Sequence, residues 1–168
     1  MLRLAVISDI HDNVPNLVKT LQVIKKEGVD YLICTGDVQS LECWQMLDQL
    51  KIPTWAVLGN ADHDILGFEK LQTKIKHIKL FANIGVAEIE DKKIIFGHYP
   101  TTLKTAMEKA KTKYDLALHG HTHQPWEEYW QETKILNPGN IANIRYAPTF
   151  AIVNLNNLEA KLILLNEI

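Results

Sequence analysis

Residues 2–37, LRLAVISDIHDNVPNLVKTLQVIKKEGVDYLICTGD, decide the fold class. The apolar run Leu2–Ser8 is typical of a buried strand. Asn13–Glu27 carries apolar residues at helical spacing, and Gly28 ends that helix. Tyr31–Thr35 is again apolar and predicts a second buried strand. This order of strand, helix and strand predicts two parallel strands joined by a right-handed crossover.

The next residues repeat the alternation, with a helix at Leu41–Leu50 and a strand at Thr54–Leu58. The second half of the chain changes to short strands separated by turn residues, with one further helix at Thr101–Lys113. The predicted class is therefore α/β with a mostly β second half. Because no linker or repeat interrupts the pattern, we expect one domain over residues 1–168. The later strands predicted are Ile84–Glu90, Lys92–Phe96, Leu116–Leu118, Trp126–Trp130, Lys134–Leu136, Thr149–Leu155 and Ala160–Leu165.

Composition limits the classes of partner. The 168 residues carry a formal net charge of −2, which argues against a dedicated nucleic-acid binder. No apolar run reaches the roughly 20 residues that span a bilayer, and the first residues lack the features of a signal peptide. We therefore expect no membrane association and a cytoplasmic location. Cys34 and Cys43 fit that expectation as buried, reduced side chains rather than as a disulfide.

Polar side chains follow the predicted strands where each strand ends. Since strand carboxyl ends form the ligand crevice of an α/β sheet, we expect these side chains to converge. Carboxylate, imidazole and amide oxygen suit Mn²⁺, Fe²⁺, Zn²⁺ or Ni²⁺, and the set is too large for one tetrahedral zinc ion. It suffices for two ions that share a bridging carboxylate. The seven candidate ligands are Asp9, His11, Asp37, Asn60, His98, His121 and His123.

Each piece alone has an ordinary structural explanation. Asp9-x-His11 could be a turn with a helix cap, and His98 could be a core histidine with satisfied hydrogen bonds. Glycine–aspartate and glycine–asparagine dipeptides are common turns. The pair His121 and His123, two apart after a buried strand, is more specific for a metal site. The order of all the pieces, each at a strand end, is what favours metal binding.

The motifs in this order resemble the signature blocks of calcineurin-like metallophosphoesterases. The short chain and Asn137-Pro138-Gly139-Asn140 resemble the small bacterial and archaeal phosphodiesterase subfamily. The resemblance covers most of the chain, because the blocks run from residue 9 to residue 140. The five blocks are Asp9-x-His11, Gly36-Asp37, Gly59-Asn60, Gly97-His98 and Gly120-His121-x-His123.

The resemblance implies a four-layer α/β/β/α sandwich that holds two divalent ions, with Mn²⁺ expected and Ni, Fe, Co or Zn as alternatives. It also implies that Asp37 bridges the two ions. One ion would bind Asp9, His11, Asp37 and His123. The other would bind Asp37, Asn60, His98 and His121.

A dinuclear site of this kind predicts a phosphoesterase in which a metal-bridging hydroxide attacks phosphorus in line with the departing oxygen. A phosphodiesterase acting on a small phosphate ester, which could be a nucleotide, is the favoured function. The alternatives are a phosphomonoesterase with the same site and a non-catalytic scaffold with this fold. Homodimerisation is left open. The residues expected to act in catalysis, through the metals and the bound water or phosphate, are Asp9, His11, Asp37, Asn60 and His98.

One position departs from the family pattern. Many relatives have a histidine after the third-block asparagine, and that histidine assists the leaving group, but this chain has Ala61. Alanine cannot donate a proton, and His63 is either a substitute or an ordinary loop residue. Without such a donor, we expect a preference for good leaving groups, as in aryl esters or phosphodiesters.

Several other residues receive secondary predictions. Asp62 is expected to hold the free nitrogen of a ligand imidazole, and His119 to pack behind the site. His77 is expected at the surface. Trp126 and Trp130, four apart, are expected to pack against the sheet, with substrate stacking or a dimer contact as the alternative. Pro138-Gly139 is either a plain turn or a loop whose backbone N–H groups contact phosphate.

Overall fold

The computed structural model describes residues 2–62 and 68–168, so the prediction for His63 lies outside the described residues. These residues form four helices, eleven strands and two short 3-10 turns at Asn60–Asp62 and Leu165–Glu167. The helices are α1 Val14–Lys26, α2 Leu41–Asp48, α3 Phe68–Lys74 and α4 Pro100–Lys109. The strands are β1 Arg3–Ile7, β2 Tyr31–Cys34, β3 Thr54–Val57, β4 Ile78–Phe81, β5 Ile84–Ile89, β6 Lys92–Gly97, β7 Leu116–Leu118, β8 Trp126–Trp130, β9 Thr133–Asn137, β10 Thr149–Asn154 and β11 Ala160–Leu164.

The strands form two sheets. The first has the order β11-β10-β1-β2-β3-β4, and the second has the order β5-β6-β7-β9-β8. Strands β1 to β4 run parallel, with Ala5 opposite Leu32 and Ile33 opposite Trp55, which confirms the parallel pairing predicted for the first half. In the second sheet, β6, β7 and β9 are also parallel. The carboxyl ends of these strands therefore gather at one end of each sheet.

Burial on both faces of the first sheet fixes the layers. Ala5 and Ile7 of β1 belong to the apolar cluster that packs against α1, α2 and α3. Leu4 and Val6 point the other way, into the cluster between the two sheets. Fully burying a large aliphatic side chain contributes about 1.5–3 kcal/mol, so alternation along one strand stabilises both interfaces.

Helix α4 covers the outer face of the second sheet. Its buried Leu103 and Met107 pack against Ile95 and Ala117 of β6 and β7. The molecule therefore has four layers, with helices outside and two sheets inside. This is the α/β/β/α sandwich that the family resemblance implied.

Helix boundaries follow local hydrogen bonds. Asn13 caps α1, because its side-chain oxygen accepts a hydrogen bond from the Asn16 amide at 3.1 Å. Gly28, with φ of 61°, follows the end of the helix. Helix α4 begins at Pro100 and ends at Lys109, four residues before the predicted end. The lysine-rich residues after it are compatible with a helix, and no glycine or proline marks the stop in the sequence.

Some expectations about packing were right and one was wrong. Cys34 and Cys43 are buried free thiols. Trp130 packs on the cluster beneath α4, but Trp126 is 53% exposed because β8 is the edge strand of its sheet. Within residues 2–62 and 68–168, no helix has both the length and the apolar content to cross a bilayer. The single-domain assignment over residues 1–168 stays a prediction.

Candidate metal centre

The structure brings all seven predicted side chains together. The first sheet contributes Asp9 and His11 after β1, Asp37 after β2 and Asn60 after β3. The second sheet contributes three histidines, one after β6 and two after β7. The site therefore lies where the carboxyl ends of the two sheets meet. The seven-residue cluster is Asp9, His11, Asp37, Asn60, His98, His121 and His123.

One half of the cluster surrounds Asp9. Oδ1 of Asp9 lies 3.3 Å from Nε2 of His123. That nitrogen is 3.3 Å from Nε2 of His11, and Nε2 of His11 is 3.5 Å from Oδ2 of Asp37. The donor atoms of Asp9, His11 and His123 all lie within 4.8 Å of one another. This grouping has the size of a single ion-binding position.

The other half surrounds Asn60. Oδ1 of Asn60 is 3.1 Å from Nε2 of His98 and 3.2 Å from Nδ1 of His121. Nε2 of His98 is also 3.4 Å from Oδ2 of Asp37. The same oxygen of Asp37 thus touches an imidazole in each half of the cluster. That position is where a carboxylate bridging two ions would be placed.

The donor atoms are spaced as ligands of divalent ions. Donors bound at about 2.0–2.2 Å to one ion lie about 2.8–3.6 Å apart at neighbouring vertices, the shorter values in an octahedron and the longer ones in a tetrahedron. Six separations, from 3.1 to 3.5 Å, fall within that range, and the separation of 3.9 Å between Nε2 of His11 and Oδ1 of Asp9 is longer. Oδ1 of Asp9 is also buried without a hydrogen-bond partner, which is unusual for a carboxylate oxygen. These residues therefore fit the divalent ions that the resemblance implies.

Charge within the site shifts its pKa values. Burial raises the pKa of Asp37, but the hydrogen bond and charge of His98, together with the Ala61 amide and the charge of His11, lower it below its ordinary value. Burial lowers the pKa of His98, but Asp37, with the charge of Asp9 and the Thr35 carbonyl, raises it above its ordinary value. The Asp9 carboxylate raises the pKa of His123 against burial. Each aspartate is thus paired with an imidazole whose proton a bound cation would replace.

Asp62 holds the backbone of the site and not an imidazole, so the predicted partner was wrong. Its carboxylate accepts hydrogen bonds from the amides of Asp37 at 2.7 Å, Val38 at 2.9 Å and Gln39 at 2.8 Å. It also accepts from the amide of Gly59 at 2.8 Å. Burial raises its pKa in spite of these bonds. One buried carboxylate therefore joins the loops after β2 and β3.

Backbone carbonyls orient two of the imidazoles. Nδ1 of His98 lies 2.8 Å from the carbonyl oxygen of Thr35, and Nδ1 of His123 lies 3.3 Å from that of Ile144. With the proton assigned to Nδ1, each carbonyl accepts it and leaves Nε2 free as a metal ligand. Sequence reasoning expected such partners but could not name them, because backbone carbonyls have no sequence signature.

The Asn-Pro-Gly-Asn motif supports the two histidines after β7. The Asn137 amide donates to the carbonyl oxygen of Gly120 at 3.1 Å, and the Asn140 amide donates to that of His123 at 3.1 Å. Pro138 and Gly139 are buried, and the Gly139 N–H donates to the Asn137 side chain at 2.9 Å. The Gly139 amide is therefore not free for phosphate, which favours the structural interpretation of this segment over a phosphate-binding loop.

His119 and His77 lie where the sequence placed them. His119 is buried behind the site, with Nδ1 3.1 Å from the carbonyl oxygen of Gly120, and burial lowers its pKa. His77 is at the surface, with Nδ1 3.2 Å from a carboxylate oxygen of Asp48. Neither imidazole belongs to the seven-residue cluster.

The backbone of the cluster is unusual, because five of its seven residues have positive φ. Such left-handed conformations cost of order 1–3 kcal/mol in residues other than glycine and concentrate at functional sites. Gly36 allows the close approach of two of these loops, since a Cβ there would lie 2.6 Å from the Gly59 nitrogen. The φ values are 52° for Asp9, 43° for His11, 56° for Asp37, 67° for His121 and 62° for His123.

Ala61 contributes only its backbone to the site. Its N–H donates to Oδ1 of Asp37 at 2.7 Å, which fixes the carboxylate whose other oxygen faces His11 and His98. The methyl side chain offers no hydrogen-bond donor at this position. As the sequence indicated, the side chain at position 61 supplies no proton donor. The backbone of Ala61 instead helps to position Asp37.

Comparison with known proteins places the chain in a family. Phosphodiesterase MJ0936 of Methanocaldococcus jannaschii is 27% identical over 167 residues, which is 98% of this chain and 99% of the relative. A solved structure described as a novel archaeal phosphodiesterase superposes with a TM-score of 0.83 at 25% identity, over 97% of this chain and 99% of that chain.

A third similarity concerns the fold alone. Vacuolar Protein Sorting 29 from Cryptosporidium parvum superposes with a TM-score of 0.69 at 20% identity, over 96% of this chain and 95% of that chain. The family model described as the calcineurin-like phosphoesterase superfamily domain matches residues 2–158. Because that match spans nearly the whole sequence, the chain belongs to the calcineurin-like phosphoesterase superfamily.

Proposed function

We propose that this phosphoester hydrolase is a metal-dependent phosphodiesterase acting on small phosphate esters. The supporting observation is the buried Oδ1 of Asp9, which has no hydrogen-bond partner and faces the imidazole of His123 at 3.3 Å. A carboxylate left in this state is expected to bind a cation. The relative named phosphodiesterase MJ0936 matches nearly the full length of the chain and supports the choice of diester.

The proposal assigns the seven-residue cluster to two ions. Asp9, His11 and His123 would hold one ion, and Asn60, His98 and His121 the other. Asp37 would contribute its Oδ2 to both, because that oxygen lies between His11 and His98. Mn²⁺ is the expected metal, and Fe²⁺, Co²⁺, Ni²⁺ or Zn²⁺ would suit the same donors.

The chemistry follows from charge and position. Two divalent ions, when bound, would lower the pKa of a water molecule and neutralise phosphate charge. Asp9 and Asp37 together carry −2, so a loaded site is locally positive and attracts a phosphate. We expect in-line attack of the activated water on phosphorus. The ester P–O bond breaks, phosphorus keeps the hydroxyl, and the departing oxygen takes the remaining proton.

The proposed substrate preference rests on Ala61. This side chain cannot protonate a departing oxygen, so esters that release a stable phenolate are expected to react faster than alkyl monoesters. A nucleotide diester is one candidate for the natural substrate. Homodimerisation and the cytoplasmic location stay predictions.

The test combines metal content with hydrolysis of bis(4-nitrophenyl) phosphate. We expect about two Mn²⁺ per wild-type chain and turnover that chelation abolishes. Asp37→Asn keeps the size of the side chain and removes the bridging charge, so turnover should fall at least about a thousandfold and metal content should fall. Asp91→Asn is the control, because the Asp91 carboxylate is exposed and pairs with Lys92. This substitution should leave turnover and metal content unchanged.

The same experiment decides between the alternatives. No turnover with Mn²⁺, Fe²⁺, Co²⁺, Ni²⁺ or Zn²⁺ would contradict an enzymatic function, and metal binding without turnover would favour a scaffold. Faster hydrolysis of 4-nitrophenyl phosphate than of the diester would favour a phosphomonoesterase. The resemblance to Vacuolar Protein Sorting 29 is one of fold and favours neither outcome.

A further inference from the structure

Within the described ranges, two side-chain hydroxyls make hydrogen bonds to the seven-residue cluster. Ser8 is buried, and its Oγ donates to Oδ2 of Asp9 at 2.6 Å. Tyr99 is 37% exposed, and its Oη donates to Oδ1 of Asn60 at 3.3 Å. The Ser8 hydroxyl is enclosed by the chain. The Tyr99 hydroxyl is the one that a bound substrate can reach.

Tyr99 is held firmly beside the site. Its ring centroid is 4.5 Å from that of His121 and 5.0 Å from that of His98. Its backbone carbonyl accepts the first hydrogen bond of α4, from the Leu103 amide at 3.0 Å. Pro100 follows at once and fixes the start of the helix. The hydroxyl is therefore presented on the side of the site that carries Asn60.

This side of the site has few other donors. Ala61, the residue after Asn60, has a methyl side chain. Among residues 2–62 and 68–168, no lysine or arginine lies within 4.0 Å of the carboxylate of Asp9 or Asp37. The imidazoles of His98 and His121 face Asn60 with the nitrogens proposed to bind metal. A phosphate ester bound here would therefore meet the Tyr99 hydroxyl as the neutral donor at the rim.

We propose that Tyr99 Oη donates a hydrogen bond to the departing oxygen of the substrate, an inference that rests on the proposed function. As the P–O bond breaks, negative charge grows on that oxygen, and the Tyr99 O–H, turning from Oδ1 of Asn60 towards it, stabilises the charge. The proton stays on Tyr99, the departing oxygen leaves as the phenolate and takes a proton from solvent, and the attacking water gives its surplus proton to solvent. Tyr99 thus supplies, from the start of α4, a donor that Ala61 cannot supply.

The kinetic test uses Tyr99→Phe, which keeps the ring and removes only the hydroxyl. With the Mn²⁺-loaded protein and aryl phosphodiesters of increasing leaving-group pKa, we expect kcat/KM to fall about tenfold for 4-nitrophenol. The fall should approach about a hundredfold for phenol, since the hydrogen bond strengthens with charge on the departing oxygen. Tyr129→Phe is the matched control, because Tyr129 is 67% exposed on β8. An equal loss for all leaving groups would overturn the proposal.

A binding test does not depend on turnover. Inorganic phosphate places an oxygen where the ester oxygen departs, so Tyr99→Phe should bind phosphate about tenfold more weakly in the Mn²⁺-loaded state. Mn²⁺ content should not change. Unchanged phosphate affinity in Tyr99→Phe would overturn the proposal. Loss of Mn²⁺ would also overturn it, because Tyr99 would then act only by holding Asn60. If Tyr99→Phe binds phosphate more weakly than wild type while the wild type hydrolyses no diester, the contact would be supported and the proposed function contradicted.

Discussion

The two ends of the sheets differ in the partners of their charged side chains. Near the start of β1, the cations Arg3 and Lys134 each have an anionic or carbonyl partner. Arg3 pairs with Glu27 at 3.4 Å. Lys134 is 4% exposed, and its Nζ lies 2.7 Å from the Leu158 carbonyl oxygen and 2.9 Å from Oε1 of Glu127. The cations at this end are provided by the chain itself.

At the carboxyl ends of the strands, the buried aspartates face imidazoles instead. Asp9 and Asp37 have His11, His98 and His123 as their nearest titratable partners. The end near Arg3 also holds a cavity of about 610 Å³, and at its lining Arg3 pairs with Glu27 and Lys134 with Glu127. The contrast favours the buried aspartates, which have no lysine or arginine partner among the described residues, over the cavity near Arg3 as the place where a cation would bind.

The largest expected effect would come from breaking the hydrogen bonds that Asp62 accepts from the loops after β2 and β3. Asp62→Asn turns one oxygen into a donor and leaves two of its four amide partners unpaired. We expect the unfolding free energy of the metal-free protein to fall by about 3–5 kcal/mol, measured in urea. Mn²⁺ affinity should fall about 10–100-fold, because the loops that carry Asp37 and Asn60 lose their shared anchor.

The matched control for that change is Asp48→Asn. Asp48 also accepts two backbone amides, from Lys76 at 2.9 Å and His77 at 2.6 Å, but it is away from the seven-residue cluster. We expect a smaller loss of stability and no change in Mn²⁺ affinity. Equal effects of the two substitutions on Mn²⁺ binding would mean that Asp62 does not position the metal ligands.

A second effect should appear at the opposite end. Lys134→Met removes the buried ammonium and leaves the Leu158 carbonyl without its partner, while the half-exposed Glu127 can turn to water. We expect a loss of about 2 kcal/mol in unfolding free energy with unchanged Mn²⁺ binding. Lys113→Met, at an exposed pair with Glu132, should have no measurable effect on either quantity. Weakened Mn²⁺ binding in Lys134→Met would show that the two ends are coupled.

The smallest expected effect is the most specific to the comparison. Asp9→Asn removes a buried charge whose Oδ1 has no hydrogen-bond partner, and the new amide can donate to Nε2 of His123. Without metal, we expect the unfolding free energy to stay the same or to rise by up to about 1 kcal/mol. The wild type should gain about 2.7 kcal/mol at Mn²⁺ one hundred times above its Kd, and the variant should lose that gain. Destabilisation of the metal-free variant would contradict the proposal that the Asp9 carboxylate is stabilised mainly by a bound cation.

The fold was predictable for strands that are buried on both faces of their sheet. Strands β1, β2 and β3 were predicted within two residues, because strands covered on both faces are continuous apolar runs. Helix α3 and strand β4 were not predicted. Strand β4 is a four-residue edge strand with exposed Lys79, and its partner β3 is more than twenty residues away. A short, alternating edge strand in a lysine-rich stretch has too weak a signal to separate it from a loop.

The site was predictable as a set of residue types and much less as a set of contacts. Strand ends give the positions of all seven side chains, because topology carries those ends to one place. The roles of Asp62 and Tyr99 depend on contacts across 25 and 39 positions of sequence, which no local pattern encodes. The exposure of Trp126 was missed for the same reason, since edge position is a property of the whole sheet.

The left-handed backbone at five of the seven donors has an evolutionary consequence. Glycine adopts positive φ without steric strain, so replacing any of these five residues by glycine would relieve strain while removing a donor. A descendant that no longer needs catalysis would therefore tend to lose these metal-donor side chains, because replacement by glycine lowers the conformational strain of the backbone. At these five positions the backbone alone would favour glycine, and the present side chains add the ability to bind a cation.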